Sequence, residues 1–451
     1  MFTGTRGEDD MGSTTTVDGL VSGMNTSQVI SQLMQLAAQP QTNLKNAVTK
    51  ENAVISAYQS VNSRLAALQT AAEAFTPPSA LTPVNPTWQS AKATSSSTAV
   101  TATASVGAPT GTFTFDVTAL AKGQITTANV AAAGPVTTGS GLDVTVGTTT
   151  THVNVTTDTA QGTADAINAA KLGVTASVLT TQQGTILQLT GSTGAANSFS
   201  VSGLAAATTD IATAADAQIT VGNPAAGGYT LNSATNTFGN AVPNVTLTVS
   251  QLANGVSVTT SSDADAIADK MKSMIDAANG ALSQIGAQSA YNATAKSGGP
   301  LTGDFAVRQL QSDLLSAVSN GQTGYGSFKQ FGVQLDGDGK LTFDRNAFIT
   351  AYNADPAGVQ KAVATGLATQ LDTVAKSATD PITGNLTAAI NGGNSQIRSL
   401  NRQIADWDVR LAARQQALQR QFTNLELALG KMKDQSNWLS GQIAGLPSAS
   451  S

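Results

Sequence analysis

Few stretches of this chain combine residue types able to do chemistry, and each has a plainer reading. "DGDGKLTFDRNAF", Asp336 to Phe348, puts carboxylates at the first and third positions of a calcium-type loop, Asp336 and Asp338. The sixth position, where a sharp turn needs Gly, is Leu341, and the twelfth, where a bidentate Glu belongs, is Ala347. A hairpin around an Asp-Gly turn is the better reading. His152 is the sole histidine of 451 residues, and there is no cysteine to join it as a ligand. As a general base it would need a nucleophile and an orienting carboxylate. Asp158 is near in sequence, but nothing marks such a set, so His152 reads as a strand residue at the surface. Asp265 and Asp269 fall on one helix face with Asp263 before them, where acidic residues suit the positive end of a helix dipole. No phosphate-cradling glycine loop and no nucleophile elbow occurs. The chain therefore reads as non-enzymatic, with no catalytic residues, no cofactor and no metal.

Arg398, Arg402, Arg410, Arg414, Arg420, Lys431 and Lys433 are the most basic cluster. A zipper-type DNA reader places its basic block ahead of the apolar seam. Here the basic residues share helix turns with the seam and with Asp406, Asp408 and Glu426, which reads as a solvated or ion-paired face. A net charge of -5 also excludes a general nucleic-acid footprint. No apolar run is long enough to span a bilayer, and "MFTGTRGEDDMG" lacks the layout of a cleavable signal peptide, with Met11 an alternative start. Charged residues are 11% of the chain against roughly 25% in ordinary domains. Ser, Thr, Ala, Asn, Gln and Gly fill the difference, so the surface is polar without being charged.

These residues sit in an α+β multidomain chain with helical ends and a β-rich middle. After a flexible 1–24, Asn25 with Gln28 forms a capping box, and Val29, Ile30, Leu33 and Leu36 recur at helical spacing. Pro40 pushes Gln39 out of the helical region and makes a hinge. Leu44, Val48, Ile55, Tyr58, Leu65, Leu68 and Phe75 then form one stripe of a second helix, completing a helical segment over 25–76 that stops at "TPPSALTPVNP". Residues 85–125 and 205–258 read as an antiparallel β head, with "GTFTFDVTAL" and "PNVTLTVSQL" as its clearest strands. A second β subdomain, 126–204, is inserted in it and carries one helix, "TADAINAAKLG". Helices return over 260–376 around the "FGVQLDGDGKLTFD" hairpin, and 377–394 reads as a Gly/Asn/Ser-rich loop.

The segment 395–446 is the most regular. Ile397, Ile404, Leu411, Leu418, Leu425, Met432 and Leu439 recur every seventh residue. A companion seam holds Leu400, Trp407 and Ala428 but fails at Arg414, Gln421 and Gln435, with Phe422 and Leu429 shifted by one. This predicts a coiled-coil-like helix of about 45 residues, roughly 65 Å long, that needs a partner for its apolar face. Either the two helical ends pair within one molecule, or they pack on neighbouring copies.

The residues resemble the flagellar filament cap, or hook-associated protein 2, family over nearly the whole chain from Val17 to about Leu446. The resemblance rests on "VDGLVSGMNTSQVISQLMQLAAQPQTNL", "GTFTFDVTALAKGQ", "GGPLTGDFAVRQLQSDL" and the closing "IRSLNRQIADWDVRLAARQQALQRQFTNLELALGKMKDQSNWLSGQ". "ADAINAAKLGVTASVLTTQQGTILQLTGSTGAAN" looks like a motif shared among flagellin and hook-associated proteins. The resemblance implies a homo-oligomeric plate at the growing filament tip, with the terminal helices as legs and incoming flagellin folding beneath. It implies hook-filament junction proteins and an export chaperone at the C-terminal helix as further partners. It also implies an extracellular location reached through the flagellar type III apparatus without signal cleavage. The residues expected at oligomer or filament contacts are Ile30, Leu33, Leu36, Leu44, Val48, Ile55, Tyr58, Leu65, Ile397, Leu400, Ile404, Trp407, Leu411, Leu418, Leu425 and Met432, with Pro40 as hinge. Two other readings stand beside this one: a surface adhesin with a β head on a helical stalk, and a hook-filament junction protein, which would lack so large a head.

Overall fold

Alternating apolar residues in the middle of the chain, and apolar stripes at helical spacing toward both ends, produce two kinds of core. The computed structural model describes residue 23 and residues 25–78 and 85–444. Apart from Gly23, the expected flexible 1–24 lies outside the described residues, as do 79–84 of the proline-rich stretch and 445–446 of the closing segment. In chain order the elements are α1 (Thr26–Ala37) and α2 (Gln39–Glu73), then β1 (Ala91–Ser95), β2 (Val100–Ala104), β3 (Gly111–Ala119), β4 (Gly123–Val130), β5 (Gly141–Val146) and β6 (Thr149–Asn154). After α3 (Ala160–Ala170) come β7 (Val174–Thr181), β8 (Gly184–Thr193), β9 (Phe199–Ser202), β10 (Thr208–Ala212), β11 (Ala217–Val221), β12 (Tyr229–Ser233), β13 (Thr237–Val242), β14 (Val245–Val249) and β15 (Ala253–Ser262). The helices α4 (Ala264–Ser289), α5 (Phe305–Ser319), α6 (Arg345–Ala354), α7 (Pro356–Ala362), α8 (Ala368–Thr379) and α9 (Asn385–Ala444) complete the chain. Two compact units result, one of Met1–Gln69, Ala277–Ala317 and Leu371–Ser451, the other of Thr70–Asp276 and Val318–Gln370.

In the second unit a five-stranded sheet, β1-β15-β3-β11-β12, and a three-stranded sheet, β13-β14-β2, share one core. Phe115, Val117, Ile219, Leu247, Val256 and Val258 fill it from alternate strand positions. Between β3 and β11 the chain builds a second pair of antiparallel sheets, β10-β4-β8-β7 and β6-β5-β9, closed by α3 around Leu142, Ile167, Leu187, Leu189 and Phe199. One β subdomain is thus inserted in the other. Two amides hold this inserted core together. Buried Gln124 imitates a strand edge, accepting from the Phe199 N–H (2.9 Å) and donating to the Phe199 carbonyl (2.7 Å). Asn168 of α3 does the same for Ala176 on the outer edge of β7, at 2.8 and 2.9 Å, which blunts an edge that would otherwise invite strand pairing.

The same unit carries a helical corner built on aromatic rings. Trp88 donates its indole N–H to the Phe75 carbonyl (3.0 Å) and lies edge-on to the Phe75 ring and stacked on Tyr352, which stacks in turn on the buried ring of Phe348. Asp344 caps α6, and the hairpin Val333–Leu335 with Leu341–Phe343 precedes it. Asp336 accepts from Asp338 N–H and Lys340 N–H in the turn, so its carboxylate closes a loop. On the rim, Arg345 pairs with Asp265 (2.7 Å) and Asp269 (3.2 Å), and Lys92 pairs with Asp265 (3.1 Å).

Two local expectations need correction. Gln39 is not driven out of the helical region: α1 ends at Ala37, a single residue, Ala38, separates the helices, and Gln39 and Pro40 already begin α2. Pro40 lacks an N–H where the first turn of a helix has no use for one, so it is tolerated there while ending the helix before it. Residues 377–394 are not a loop either, because α8 runs to Thr379 and α9 begins at Asn385. Only 380–384 turn, with the Asp380 carboxylate accepting from Ile382 N–H and Thr383 N–H. A 60-residue α9, about 90 Å at 1.5 Å per residue, therefore replaces the shorter helix expected.

Hydrogen bonds from Arg345, then Lys92, hold the Asp265 carboxyl below its ordinary value of 3.8. A carboxylate with a depressed folded pKa stabilises above its unfolded pKa and loses that contribution as pH falls through the folded one. Asp265→Asn is expected to lower the thermal midpoint at pH 7. The gap to the parent chain should close as pH drops below 3.8, measured by circular dichroism melts across pH.

Candidate assembly surface

In the first unit α1, α2 and α9 carry the terminal apolar stripes. Asn25 caps α1 by accepting from the Gln28 N–H (2.9 Å). Along α1, Thr26 and Ile30 are buried, whereas Leu33 is 38% and Leu36 71% exposed. Ile30 and Met34 line a groove with Ser27, Gln35, Gln415 and Gln419, so the short helix lies against α9 over largely polar side chains. Further on, Leu44 and Val48 are half-buried, and Ile55, Tyr58, Val61, Leu65 and Leu68 are buried.

The packing of α2 on α9 is fixed at two places. Gly393 is buried, and a Cβ there would lie 2.8 Å from Ile55 Cγ1 and 2.8 Å from Glu51 Oε1, so the helices approach as closely as a missing side chain allows. Gln41, 6% exposed, donates to Asp408 Oδ1 (2.5 Å) and to the Ile404 carbonyl (3.4 Å). A separate contact anchors α5: Tyr58 donates to the Asp304 carboxylate, which also accepts from the Val307 N–H (3.0 Å) as the cap of that helix. Burial first, then the Asp304 hydrogen bond, raises the Tyr58 phenol above its ordinary value of 10.0.

Along α9 the cover thins, though Phe422 and Leu429 stay half-buried. Leu386, Gly393 and Leu400, seven residues apart, are buried. Ile397, Ile404, Trp407, Leu411 and Leu418 are half-buried. Leu425 is 43%, Met432 64%, Trp438 67% and Ile443 61% exposed. The Arg410 guanidinium sits 5.5 Å from the Trp407 ring centre, a cation–π contact on the exposed side. The structure thus brings Ile30, Ile55, Tyr58, Leu65 and Leu400 into the unit's interior, and leaves Leu33, Leu36, Leu425 and Met432 in solvent. Sequence reasoning missed Gln41 and Gly393. A polar residue at the head of an apolar stripe was the signal for the first, and a Gly one heptad before Leu400 was the signal for the second.

The chemistry candidates are surface features. His152 Nδ1 meets Asp143 (2.6 Å) across paired strands, both about half exposed, while Asp158 instead accepts from Val136 and Thr137 N–H groups. Among the described residues no cluster of three metal-ligating side chains occurs.

Two family profiles match this chain. "Flagellar hook-associated protein 2 N-terminus" covers residues 22–124 and "Flagellar hook-associated protein 2 C-terminus" covers residues 214–434. The chain belongs to this family. A flagellar hook-associated protein 2 of Escherichia coli O157:H7 is 27% identical over 94% of this chain and 97% of its own length, and one of Salmonella typhimurium is 24% identical over 62% and 66%. Among solved structures, the D1-D2-D3 domains of the flagellar cap protein FliD from Escherichia coli align with a TM-score of 0.56 at 27% identity, over 75% of this chain and 99% of that one. The hook-associated protein 2 match agrees with terminal helices flanking a β-rich middle. The adhesin and junction-protein readings are not favoured.

Gly393→Val forces the α2 and α9 backbones apart. The expected cost is about 1–3 kcal/mol of unfolding free energy, read from urea denaturation. A control, Gly392→Val, has open space at its Cβ position and should cost less.

Proposed function

We propose that this chain caps the distal end of a bacterial flagellar filament as a homo-oligomer, with its terminal helices as the surfaces that meet neighbouring copies and the filament. The observation that carries this reading is α9, whose apolar residues at every seventh position are half-buried from Ile397 to Leu418 and emerge into solvent at Leu425, Met432 and Leu439. Burying one Leu or Met side chain is worth about 1.5–3 kcal/mol, so the exposed part of α9 is a standing source of association energy. The companion seam beside it is interrupted at Arg414, Gln421 and Gln435, which keeps any one contact weak and exchangeable. A cap that advances as each new subunit is added needs contacts of that kind.

In this reading unfolded flagellin reaches the tip, folds under the cap and is inserted, and no covalent step is asked of the cap. Its activity is positional, so the chain is non-enzymatic. It sits outside the cell at the flagellum tip. No helix among the described residues is long and apolar enough to cross a membrane. Export proceeds through the flagellar type III apparatus without cleavage of a leader, an export chaperone covers the exposed end of α9 before assembly, and hook-filament junction proteins precede the cap on the structure it crowns. Pro40 supports a hinge role, since α1 is joined to α2 by Ala38 alone.

The test replaces Leu425, Met432 and Leu439 together by Asp in the full chain. Expected are an unchanged melting transition, because these side chains are exposed in the free protein, and loss of swimming with flagellin shed into the medium. Normal motility in a strain carrying only this variant would sink the proposal.

A further inference from the structure

Asparagine followed by glycine is the pair of residues most apt to modify itself, because glycine has no Cβ to hinder its amide nitrogen from closing a ring onto the asparagine side chain. The chain holds four such pairs. Asn279–Gly280 lies inside α4 and Asn391–Gly392 inside α9, where the glycine N–H belongs to the helix ladder. Asn320–Gly321 follows α5, and Gly321 is buried. Asn254–Gly255 is different, since both residues are exposed and neither is helical. They form a bulge in β15. Ala253 pairs with Val117 and Val256 with Phe115, so the two residues stand opposite the single residue Asp116 of β3. Gly255 adopts φ +61°, a left-handed conformation that glycine takes without strain, with open space where a Cβ would be. The half-buried Asp116 carboxylate accepts from the Gly255 N–H at 2.6 Å.

Deamidation begins when the glycine nitrogen gives its proton to hydroxide and attacks the asparagine Cγ. The N–Cγ bond forms, the Cγ–Nδ2 bond breaks, and ammonia leaves with a proton from water, closing a succinimide. Water then opens the ring on either side to leave aspartate or isoaspartate, so one water is consumed and one ammonia released. At Gly255 the first step is opposed twice. A nitrogen anion would lie beside a carboxylate of like charge, and turning the nitrogen toward Asn254 Cγ would break a charge-assisted hydrogen bond. We propose that Asn254–Gly255 is a latent deamidation site and that Asp116 holds it closed. Opening it would place a new carboxylate against Asp116 across the paired strands, where like charges repel. Isoaspartate would also lengthen the main chain by one carbon beside Val256 and Val258, whose alternation fills the core. None of this depends on the capping role.

The full chain is held in mildly alkaline buffer and sampled over time, and amide loss at each Asn-Gly pair is followed by peptide mapping with mass spectrometry. The same chain unfolded in guanidinium chloride gives the unrestrained rate. Asn254 in the folded parent is expected to react at least about tenfold more slowly than in the unfolded chain, a difference of about 1.4 kcal/mol in barrier. Asp116→Ala should raise the Asn254 rate about tenfold, by the same conversion. Asp116→Asn, which keeps the shape and an acceptor but not the charge, should raise it by less. Asn320, in the same compact unit, should keep its parental rate in both variants, since a general loosening of the fold would speed both pairs. If Asp116→Ala does not fold, as judged by circular dichroism, Asp116→Asn carries the test. The proposal is overturned if the parent reacts at Asn254 as fast as the unfolded chain, if the folded variant leaves the Asn254 rate unchanged or lowers it, or if Asn320 accelerates in step.

Discussion

The close approach of α2 and α9 at Gly393 is the constraint on which the helical unit depends. Two segments more than three hundred residues apart in the chain can share a seam only if their backbones come near enough for Ile55 to lie over a residue with no side chain. Glycine in a helix interior costs about 1 kcal/mol relative to alanine, and the contact it permits offsets that cost. From this point the seam runs one way through Leu400 and Trp407 to the Gln41–Asp408 hydrogen bond, and the other way to Leu386. Beyond Asp408 the partner of α9 is the short α1, which offers Ile30 and Met34 among Ser27, Ser31 and Gln35. The helix continues, but its apolar stripe does not stay covered.

That gradient gives one element two jobs. Its first half is part of a folded core, and its second half carries apolar side chains, Leu425, Met432 and Leu439, into solvent. A helix anchored at one end needs no separate nucleation, so the exposed half can persist as helix without tertiary cover. An interrupted companion seam then suits the capping role proposed above, which needs contacts that can be exchanged. Weak segments on a rigid anchor can let go without unfolding the whole.

The β-rich unit solves a different problem. With so little charge, it obtains solubility and strand specificity from hydroxyls and amides. Threonines pair across strands on the outside, while Gln124 and Asn168 complete strand edges on the inside with bonds that backbone groups would otherwise make. Each of these amides satisfies backbone groups that would cost free energy if left unpaired and buried. Polar residues therefore serve both as surface and as local pairing rules.

Periodicity by itself determined a great deal here. The seven-residue repeat from Ile397 to Leu439, the alternation in "GTFTFDVTAL" and the stripe from Leu44 to Leu68 dictate helix, strand and apolar face, because those patterns record which side of an element avoids water. The insertion of one β subdomain in another was also legible, since a helix-forming stretch interrupts a run of strands. Sequence reasoning broke the chain at 377–394, because Gly, Asn and Ser disfavour helix locally. Only the tertiary structure could decide otherwise, by placing Ile55 where the glycine had to be. It alone also decided which turns of α9 are covered, and which threonines face one another across strands. Those outcomes depend on pairings between residues far apart in sequence, and local propensity carries no information about a partner hundreds of residues away.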